Sequence, residues 1–335
     1  MNVDKRTTRL GFLIFPGFPM ACLTSAIEPL RAANEISDTR AFSWELISET
    51  GERVRSSAEV GFDADLALND AEDFDYIFVL SGPRTVFGNH KASNGHLRRL
   101  SRHGVNLGGI SGGVFPLARA GLLSGHACSV HWCYEAAFSS EFPDHKMTND
   151  VITIDRKRYT VSGAAAAFDL MLHLIDVKLG YATSTEVACW FQHPLVRGQG
   201  VRQKIPTYRS QSTSDMLPRI VSEALEVFGR HISEPLPVQE VARMIGVSPR
   251  HLERKFKGAT GQSPSHYYRS LRMHAARQLV LYSKDTLTQI SHAVGYATAT
   301  PMVRHYRAAF GVSPDADRRK INVFRVENNR ALPST

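Results

Sequence analysis

The chain has 335 residues, which is enough for two domains that each bury a core. Its 43% hydrophobic and 21% charged residues are ordinary for a globular protein, and the absence of an apolar run of about 18 residues argues against a membrane protein. The formal net charge of +8 is unevenly distributed: from Asp215 onward there are 18 basic and 10 acidic residues, whereas residues 1–214 hold 22 of each. A neutral part followed by a basic part predicts that only the second faces nucleic-acid phosphates.

Four cysteines are scattered through the chain, and none belongs to a C-x-x-C pair. This spacing indicates neither a zinc site nor a dithiol site, and so few cysteines in a chain of this length suit a reducing cytoplasm. We therefore expect a cytoplasmic protein without a cofactor or a metal.

Apolar runs alternate with helical patterns over the first 180 residues. The predicted strands are Leu10–Phe15, Trp44–Ser48, Tyr76–Leu80, Val105–Ile110 and Ala127–Val130. Helices are predicted at Leu23–Asn34, Val114–Gly121 and Ala164–Leu179, and a hairpin at Val151–Ile154 with Tyr159–Ser162. Strands that alternate with helices are typical of a doubly wound, mostly parallel sheet, so we predict a flavodoxin-like α/β domain at residues 1–195.

A sharp turn from strand to helix is predicted at Gly109–Gly113. The turn has the G-x-S-x-G pattern of a nucleophile elbow, with Ser111 at its apex. Taken alone it indicates a serine hydrolase, with His131 as a possible base and Glu28 as a possible orienting carboxylate. In hydrolases of the usual kind, however, the acid and then the histidine follow far downstream, and His131 comes only 20 residues after the serine. Because glycine-rich turns also form wherever a chain bends tightly, both interpretations stay open here.

The chain beyond this domain divides into a linker, a helical part and a tail. Residues 196–214 carry Gly, Pro and Ser without periodicity, which predicts a linker. Residues 215–321 are predicted to be an all-α domain that opens with a helix at Met216–His231 and contains a long helix at Ser265–Ser283. Residues 322–335 are predicted to be a loosely ordered tail.

The helical part contains the same motif twice. The first copy spans Val241–Phe256 and the second spans Ile290–Tyr306, and each is followed by a Gly-x-Ser-Pro sequence. The turn glycines of the two copies are 49 residues apart, whereas Leu252 and Met302 are 50 apart, so the second turn is one residue longer. A repeat of helix, tight turn and helix, in which the second helices are basic, predicts a protein that reads double-stranded DNA.

In the first motif, Ser248 is the predicted N-cap of a second helix that runs to about Gly258. Leu252 and Phe256 are four residues apart and should face the core. The basic side chains on the rest of this helix, which are our candidate DNA contacts, are Arg250, His251, Arg254, Lys255 and Lys257. Arg250 and Arg254 are assigned to base edges because one helical turn separates them on one face, and the alternative is that both contact only phosphates.

The second helix of the second motif should begin near residues 298–300, with Met302 and Tyr306 facing the core. Its candidate DNA contacts are Ala299, Thr300 and Arg304. Small side chains can contact a thymine methyl group, so recognition here is expected to be weaker or based on DNA shape. A stiff helix at Ser265–Ser283 would hold the two recognition helices about one DNA turn apart, roughly 34 Å.

Residues 217–320 resemble the AraC/XylS family of bacterial transcription regulators. The resemblance is carried by the two glycine turns, by Arg272 and Arg277 on the joining helix, and by the Ser-Pro pairs at 263–264 and 313–314. Two departures occur in the second motif: Ser291-His292 stands where the family usually has alanine and a small residue, and Met302 stands where it usually has phenylalanine. These departures affect packing and fine specificity.

The first domain resembles the PfpI-type branch of the class I glutamine amidotransferase-like superfamily, in which an elbow cysteine lies under a glutamate from the first helix, with a histidine after the next strand. Ser111 occupies the place of the cysteine, and the resemblance implies Glu28 and His131 for the other two. A serine hydroxyl is far less acidic than a thiol, so thiolate chemistry is lost while a pocket can remain. The candidate ligand-binding residues are Glu28, Phe18, Gly82, Ser111, Gly112, His131 and Trp132.

A PfpI-like domain followed by an AraC-type domain is similar to the GlxA-type regulators, and this resemblance implies a ligand-sensing domain that controls DNA binding. We expect a transcription activator that works with RNA polymerase, forms a homodimer, has no membrane partner and responds to a small amine, amino acid or betaine. The alternative is an enzyme, a serine hydrolase or amidase fused to a DNA-binding module.

Overall fold

The computed structural model describes residues 6–193, 196–203 and 217–320, together with the backbone of residues 326–327 and 330–331. These residues form two compact units, and the division falls directly after Gln203. None of the described helices is long and apolar enough to cross a membrane.

The first unit is built around a seven-stranded sheet. The strands of the whole unit, in chain order, are β1 (Thr8–Ile14), β2 (Phe42–Ser48), β3 (Val54–Arg55), β4 (Gly61–Phe62), β5 (Leu66–Ala67), β6 (Tyr76–Ser81), β7 (Asn106–Ser111), β8 (Ala127–Ser129), β9 (Lys146–Thr148), β10 (Ile152–Asp155) and β11 (Arg158–Val161). Seven of them form the main sheet, and β3 with β4 and β8 with β9 form two separate pairs. The sheet has the order β10-β11-β7-β6-β1-β2-β5. Only the hairpin pair β10 and β11 is antiparallel in it.

The helices of this unit pack in layers against the sheet and one another. They are α1 (Met20–Ile36), α2 (His90–Arg102), α3 (Val114–Arg119), α4 (Glu135–Glu141), α5 (Ala164–Leu179) and α6 (Tyr181–Trp190). Helix α5 packs against both α1 and α6, which is why its sequence is apolar around most of its circumference. Strands β1 and β6 are apolar at nearly every position, as buried parallel strands require. The predicted α/β domain with a mostly parallel sheet is confirmed.

The predicted strand at Ala127–Val130 differs from expectation in its position. It forms β8, which pairs with β9 in a separate two-stranded sheet rather than joining the main one. The hairpin explains this difference, because β10 pairs with β11 and occupies the edge position. Strand β8 contacts the hairpin through the side chain of Thr160, whose Oγ1 accepts a hydrogen bond from the Ser129 N–H at 2.8 Å.

Residues 196–203, which we call the strap, correct the predicted linker boundary. The Val151 N–H donates to the Val201 carbonyl at 2.8 Å, and the Gln203 N–H donates to the Asn149 carbonyl at 2.7 Å. Arg197 Nε donates to the fully buried carboxylate of Asp169 at 2.8 Å. A buried charge requires such a partner, so the strap belongs to the first unit. The rest of the predicted linker, residues 204–214, lies outside the described residues, as does most of the predicted tail.

The second unit is helical. Its helices are α7 (Arg219–Arg230), α8 (Val238–Met244), α9 (Pro249–Thr260), α10 (Pro264–Tyr282), α11 (Leu287–Ala293), α12 (Ala299–Phe310) and α13 (Pro314–Lys320). The described part of the tail contains a short antiparallel pair, β12 (Val326–Glu327) with β13 (Arg330–Ala331). Helices α8–α9 and α11–α12 form the two predicted helix-turn-helix motifs, and α10 joins them. The turn glycines, Gly246 and Gly295, both have positive φ values, 73° and 74°, which glycine adopts without strain.

The predicted core positions of the two motifs are confirmed. Leu252 and Phe256 of α9 are fully buried, and so are Met302 and Tyr306 of α12. Methionine at position 302 therefore fills the site that phenylalanine usually fills in the family it resembles, as a flexible apolar side chain can.

Two arginines attach α10 to the second motif. Arg272 donates from Nε and Nη2 to the carbonyls of Val294 and Gly295, both at 2.7 Å. Arg277 Nε donates at 2.7 Å to Asp317, a buried carboxylate of α13 that also accepts the Tyr306 hydroxyl hydrogen at 2.8 Å. These charge-assisted bonds hold α10, the α11–α12 turn and α13 as one body.

The strap makes a first prediction. A fragment of residues 1–203 should be more stable than one of residues 1–195, by about 3 kcal/mol in the free energy of unfolding, because the shorter fragment leaves Asp169 without Arg197. Denaturant unfolding of both fragments measures this difference. Arg197→Ala in the longer fragment should reproduce most of the loss, and equal stability of the two fragments would show that the strap is a linker after all.

His274 on α10 makes a second prediction. Burial and the nearby Arg277 charge lower the pKa of His274 to about 4, from an ordinary value of 6.5. Because the folded-state pKa is the lower one, the stability that the neutral ring contributes is fully present above pH 6.5 and is lost as the pH falls toward 4. A fragment of residues 215–335 should therefore lose thermal stability over this range. His274→Gln should flatten that pH dependence, and an unchanged slope would contradict the assignment.

Candidate functional site

The elbow has the strained geometry that its sequence predicts. Ser111 ends β7 with a φ of +56°, a left-handed conformation that is unusual for a residue other than glycine. The backbone is crowded on both sides of the turn. A side chain at Gly112 would overlap the Ser81 carbonyl, and one at Gly113 would overlap the Val79 carbonyl. Both glycines are therefore required by close packing.

The structure does not bring Glu28 to this elbow, contrary to expectation. Glu28 lies in the third turn of α1, about 12 Å along the axis from the start of the helix. Its carboxylate accepts a hydrogen bond from Arg31 Nε at 2.9 Å and is 45% exposed. Helix α1 has no acidic residue in its first turn, where Cys22 is buried instead and burial raises the pKa of its thiol to about 12. The turn of α1 that follows β1 thus offers the elbow no carboxylate.

His131 and Trp132 form a second group, which is held by the strap. His131 Nδ1 accepts a hydrogen bond from the Cys133 N–H at 3.2 Å, and burial lowers the pKa of the imidazole. The Trp132 N–H donates to Gln203 Oε1 at 2.9 Å, and Gln203 Nε2 donates to the Val130 carbonyl at 2.8 Å. Among the described residues, no hydrogen bond joins His131 to Ser111. Gln203 was missed by the sequence analysis, because nothing in its local sequence signals partners 73 residues away.

The other two predicted pocket residues, Phe18 and Gly82, lie in different surroundings. Phe18 is fully buried and packs edge-on against Phe62, with ring centroids 5.3 Å apart, so it belongs to the core and not to a pocket mouth. Gly82, in contrast, lies directly against Gly112. The structure therefore brings together Gly82, Ser111 and Gly112. In the part of the chain that the structure describes, no side chain is hydrogen-bonded to the Ser111 hydroxyl.

The candidate DNA contacts of the first motif lie on the exposed side of α9. The side chain of Ser248 caps this helix by accepting the His251 N–H at 3.3 Å, and the helix ends at the left-handed Gly261. The fully exposed members of the set are Arg250, Arg254, Lys255 and Lys257. His251 is half-buried and lies 3.2 Å from Arg254 Nη2 through its Nδ1. The surface is cationic, and within the described ranges none of these basic side chains is paired with a carboxylate, as phosphate and base contacts require.

The second motif presents a smaller polar surface with an additional cationic residue. Thr300 and Arg304 are exposed on α12, and Ala299 is half-buried at its start. Burial and the positive charges of Arg269, Arg304 and Arg272 together lower the pKa of His305. Arg269 is exposed on α10, and the sequence analysis missed it, although its spacing of three residues from Arg272 places both on one helix face.

Comparisons with known proteins agree with both units. Residues 12–177 match the DJ-1/PfpI family, and residues 241–320 match a helix-turn-helix domain family. The chain is 33% identical over 318 residues to the HTH-type transcriptional regulator GbdR of Pseudomonas aeruginosa, and this match covers 94% of the chain and 85% of GbdR. It is 30% identical to the HTH-type transcriptional regulator GlxA of Rhizobium meliloti, covering 95% of the chain and 97% of GlxA.

The chain belongs to the AraC-family regulators with an N-terminal DJ-1/PfpI domain. A solved structure supports the fold of the first unit of this regulator. The AraC family transcriptional regulator from Pseudomonas putida has a TM-score of 0.50 and 29% identity, and the match covers 55% of this chain and 99% of that one.

The left-handed Ser111 makes a third prediction. Ser111→Gly should raise the free energy of unfolding by about 1 kcal/mol relative to Ser111→Ala, because only glycine adopts a φ of +56° without strain. Denaturant unfolding of the two variants measures the difference. If the alanine variant is equally stable, the elbow of the folded regulator is not strained at this residue.

Proposed function

We propose that this regulator binds a specific operator as a homodimer, activates transcription together with RNA polymerase, and is controlled by a small nitrogenous metabolite bound in its DJ-1/PfpI domain. The observation that carries the proposal is the pair of exposed recognition surfaces on α9 and α12, attached to one helix. In the first unit the ligand contacts that we retain are Gly82, Ser111, Gly112, His131 and Trp132. Glu28 and Phe18 are withdrawn, because one pairs with Arg31 and the other is core.

The geometry at Ser111 supports ligand binding without catalysis. Ser81, which is opposite Ser111 in the neighbouring strand, has a buried hydroxyl with no hydrogen-bond partner among the described residues. Such a group gains free energy when a polar ligand reaches it. A hydrolase would also need a base within hydrogen-bond reach of the serine, and the His131 Nδ1 lone pair is already used by the Cys133 N–H.

A screen of ester and amide substrates tests the enzymatic alternative, which the strained elbow favours. The purified full-length protein should show no turnover that Ser111→Ala removes. Serine-dependent turnover, or a covalent adduct on Ser111 detected by mass spectrometry, would establish the hydrolase instead.

Substitutions in α9 make a fourth prediction, about DNA recognition. Arg254→Ala should weaken operator binding by about 1–3 kcal/mol and relax the preference at one base pair, because a bidentate contact to a base edge is lost. Lys257→Ala should weaken binding to all sequences alike and reduce the dependence of affinity on salt concentration, because it loses a phosphate contact. Binding titrations with the operator and single-base variants distinguish the two. An unchanged base preference in Arg254→Ala would assign this arginine to phosphate.

A further inference from the structure

A cleft of about 560 Å³ lies in the first unit, away from the residues assigned to the elbow. Its walls are helices α5 and α6, strand β10, and the strap together with His193. The polar and aromatic side chains that line it include Asp169, His173, Asp176, Tyr181, His193 and Arg197. The cleft therefore combines charges of both signs with apolar walls, which is the composition of a site for a small charged molecule.

One end of the cleft holds a guanidinium that a buried carboxylate fixes in place. The Asp169 carboxylate is fully buried, and it accepts hydrogen bonds from His193 Nε2 at 2.7 Å and Arg197 Nε at 2.8 Å. Arg197 Nη2 is 2.7 Å from the same carboxylate oxygen as Nε, so the guanidinium is held against Asp169, while 27% of the Arg197 side chain stays exposed. A preoriented guanidinium that is partly exposed to the cleft is suited to binding a carboxylate.

The other end of the cleft carries a carboxylate. Asp169, His173 and Asp176 are spaced four and three residues apart on α5, so they lie along one face of the helix. Asp176 is about 10 Å further along the axis than Asp169. In the described residues no Lys or Arg pairs with Asp176. Tyr181, which also lines the cleft, adds an aromatic ring that a cation can approach.

We propose that this cleft is a second ligand site of the regulator and that it binds a linear ω-amino acid, with the carboxylate at Arg197 and the ammonium group at Asp176. The separation of the two ends excludes a compact zwitterion, in which the opposite charges are adjacent. The proposal rests on the proposed function, because it identifies a place and a chemical class for small-molecule control.

The strap gives a ligand in this cleft a route to the rest of the chain. Arg197 lines the end of the cleft where the ligand carboxylate would bind. Six residues later, Gln203 forms hydrogen bonds with the backbone of Val130 and Trp132. Directly after Gln203 the chain passes from the first unit into the second. A ligand that holds Arg197 therefore stabilises the segment through which the first unit is joined to the DNA-binding part of the chain.

Calorimetric titration of the full-length protein with an ω-amino acid series, from glycine through 5-aminovalerate to 6-aminohexanoate, tests the proposal. The two long members should bind, and glycine should not. Asp176→Asn should weaken the binding of 5-aminovalerate by about tenfold or more, as expected when the partner of an ammonium group loses its charge. Glu186→Gln, which removes an exposed carboxylate of the same unit outside the cleft, is the matched control and should leave the dissociation constant unchanged.

Valerate and pentylamine, each of which lacks one of the two charges, should bind more weakly than 5-aminovalerate. The proposal is overturned if no long member of the series binds, or if Asp176→Asn binds 5-aminovalerate as tightly as the unsubstituted protein does. Operator binding measured in parallel separates this outcome from failure of the proposed function. If the protein binds its operator specifically and its ligand response depends on Ser111 but not on Asp176, the proposed function stands and the proposed second ligand site is wrong.

Discussion

The continuity of α10 is the constraint on which DNA reading by this protein depends. This helix makes contacts with the helices of both motifs, and it is fixed to the second motif through the main-chain carbonyls that Arg272 binds and through the Arg277–Asp317 pair. Toward its start, the Tyr268 hydroxyl donates to the carbonyl of His231 at the end of α7, a helix that packs against α9. Because both attachments are to one unbroken helix, the separation of α9 and α12 is set by a rigid helix rather than by a flexible loop.

Two buried aspartates organise the two units in the same physical way. Asp317 gathers Arg277 and Tyr306, and Asp169 gathers Arg197 and His193. A buried carboxylate is costly unless it is paired, so each one selects a single arrangement of the segments that carry its partners. In the second unit the selected arrangement holds α12 and α13 to α10. In the first unit it holds the strap to α5, and therefore determines where the linker starts.

Much of the fold could be predicted from the sequence because it rests on local periodicity. The core positions Leu252, Phe256, Met302 and Tyr306 follow from four-residue spacing, and the elbow follows from glycines that a tight turn demands. The strap could not be predicted in this way. It has no apolar periodicity, and its bonds run to partners far away in the chain.

The misplaced pocket residues have a similar cause. Phe18 was expected to contact the ligand, yet a loop next to a sheet can direct an aromatic ring into the core. Glu28 was assigned through a family resemblance, but the sequence does not show which turn of a helix faces an elbow. In the structure Glu28 lies two turns beyond the start of α1, where it pairs with Arg31. Arg269 was missed for the opposite reason: its spacing from Arg272 places it on the same helix face, but only the fold shows that this face lies near His305 and Arg304.

Guanine methylation interference on an operator fragment tests the central claim most directly. If α10 fixes α9 and α12 as described, one copy of the protein should contact two successive major grooves on the same face of the duplex, with centres about 10 base pairs apart. Interference confined to one groove, or at two positions whose spacing varies between operators, would contradict the account, because it would mean that the two motifs are not held at a fixed distance.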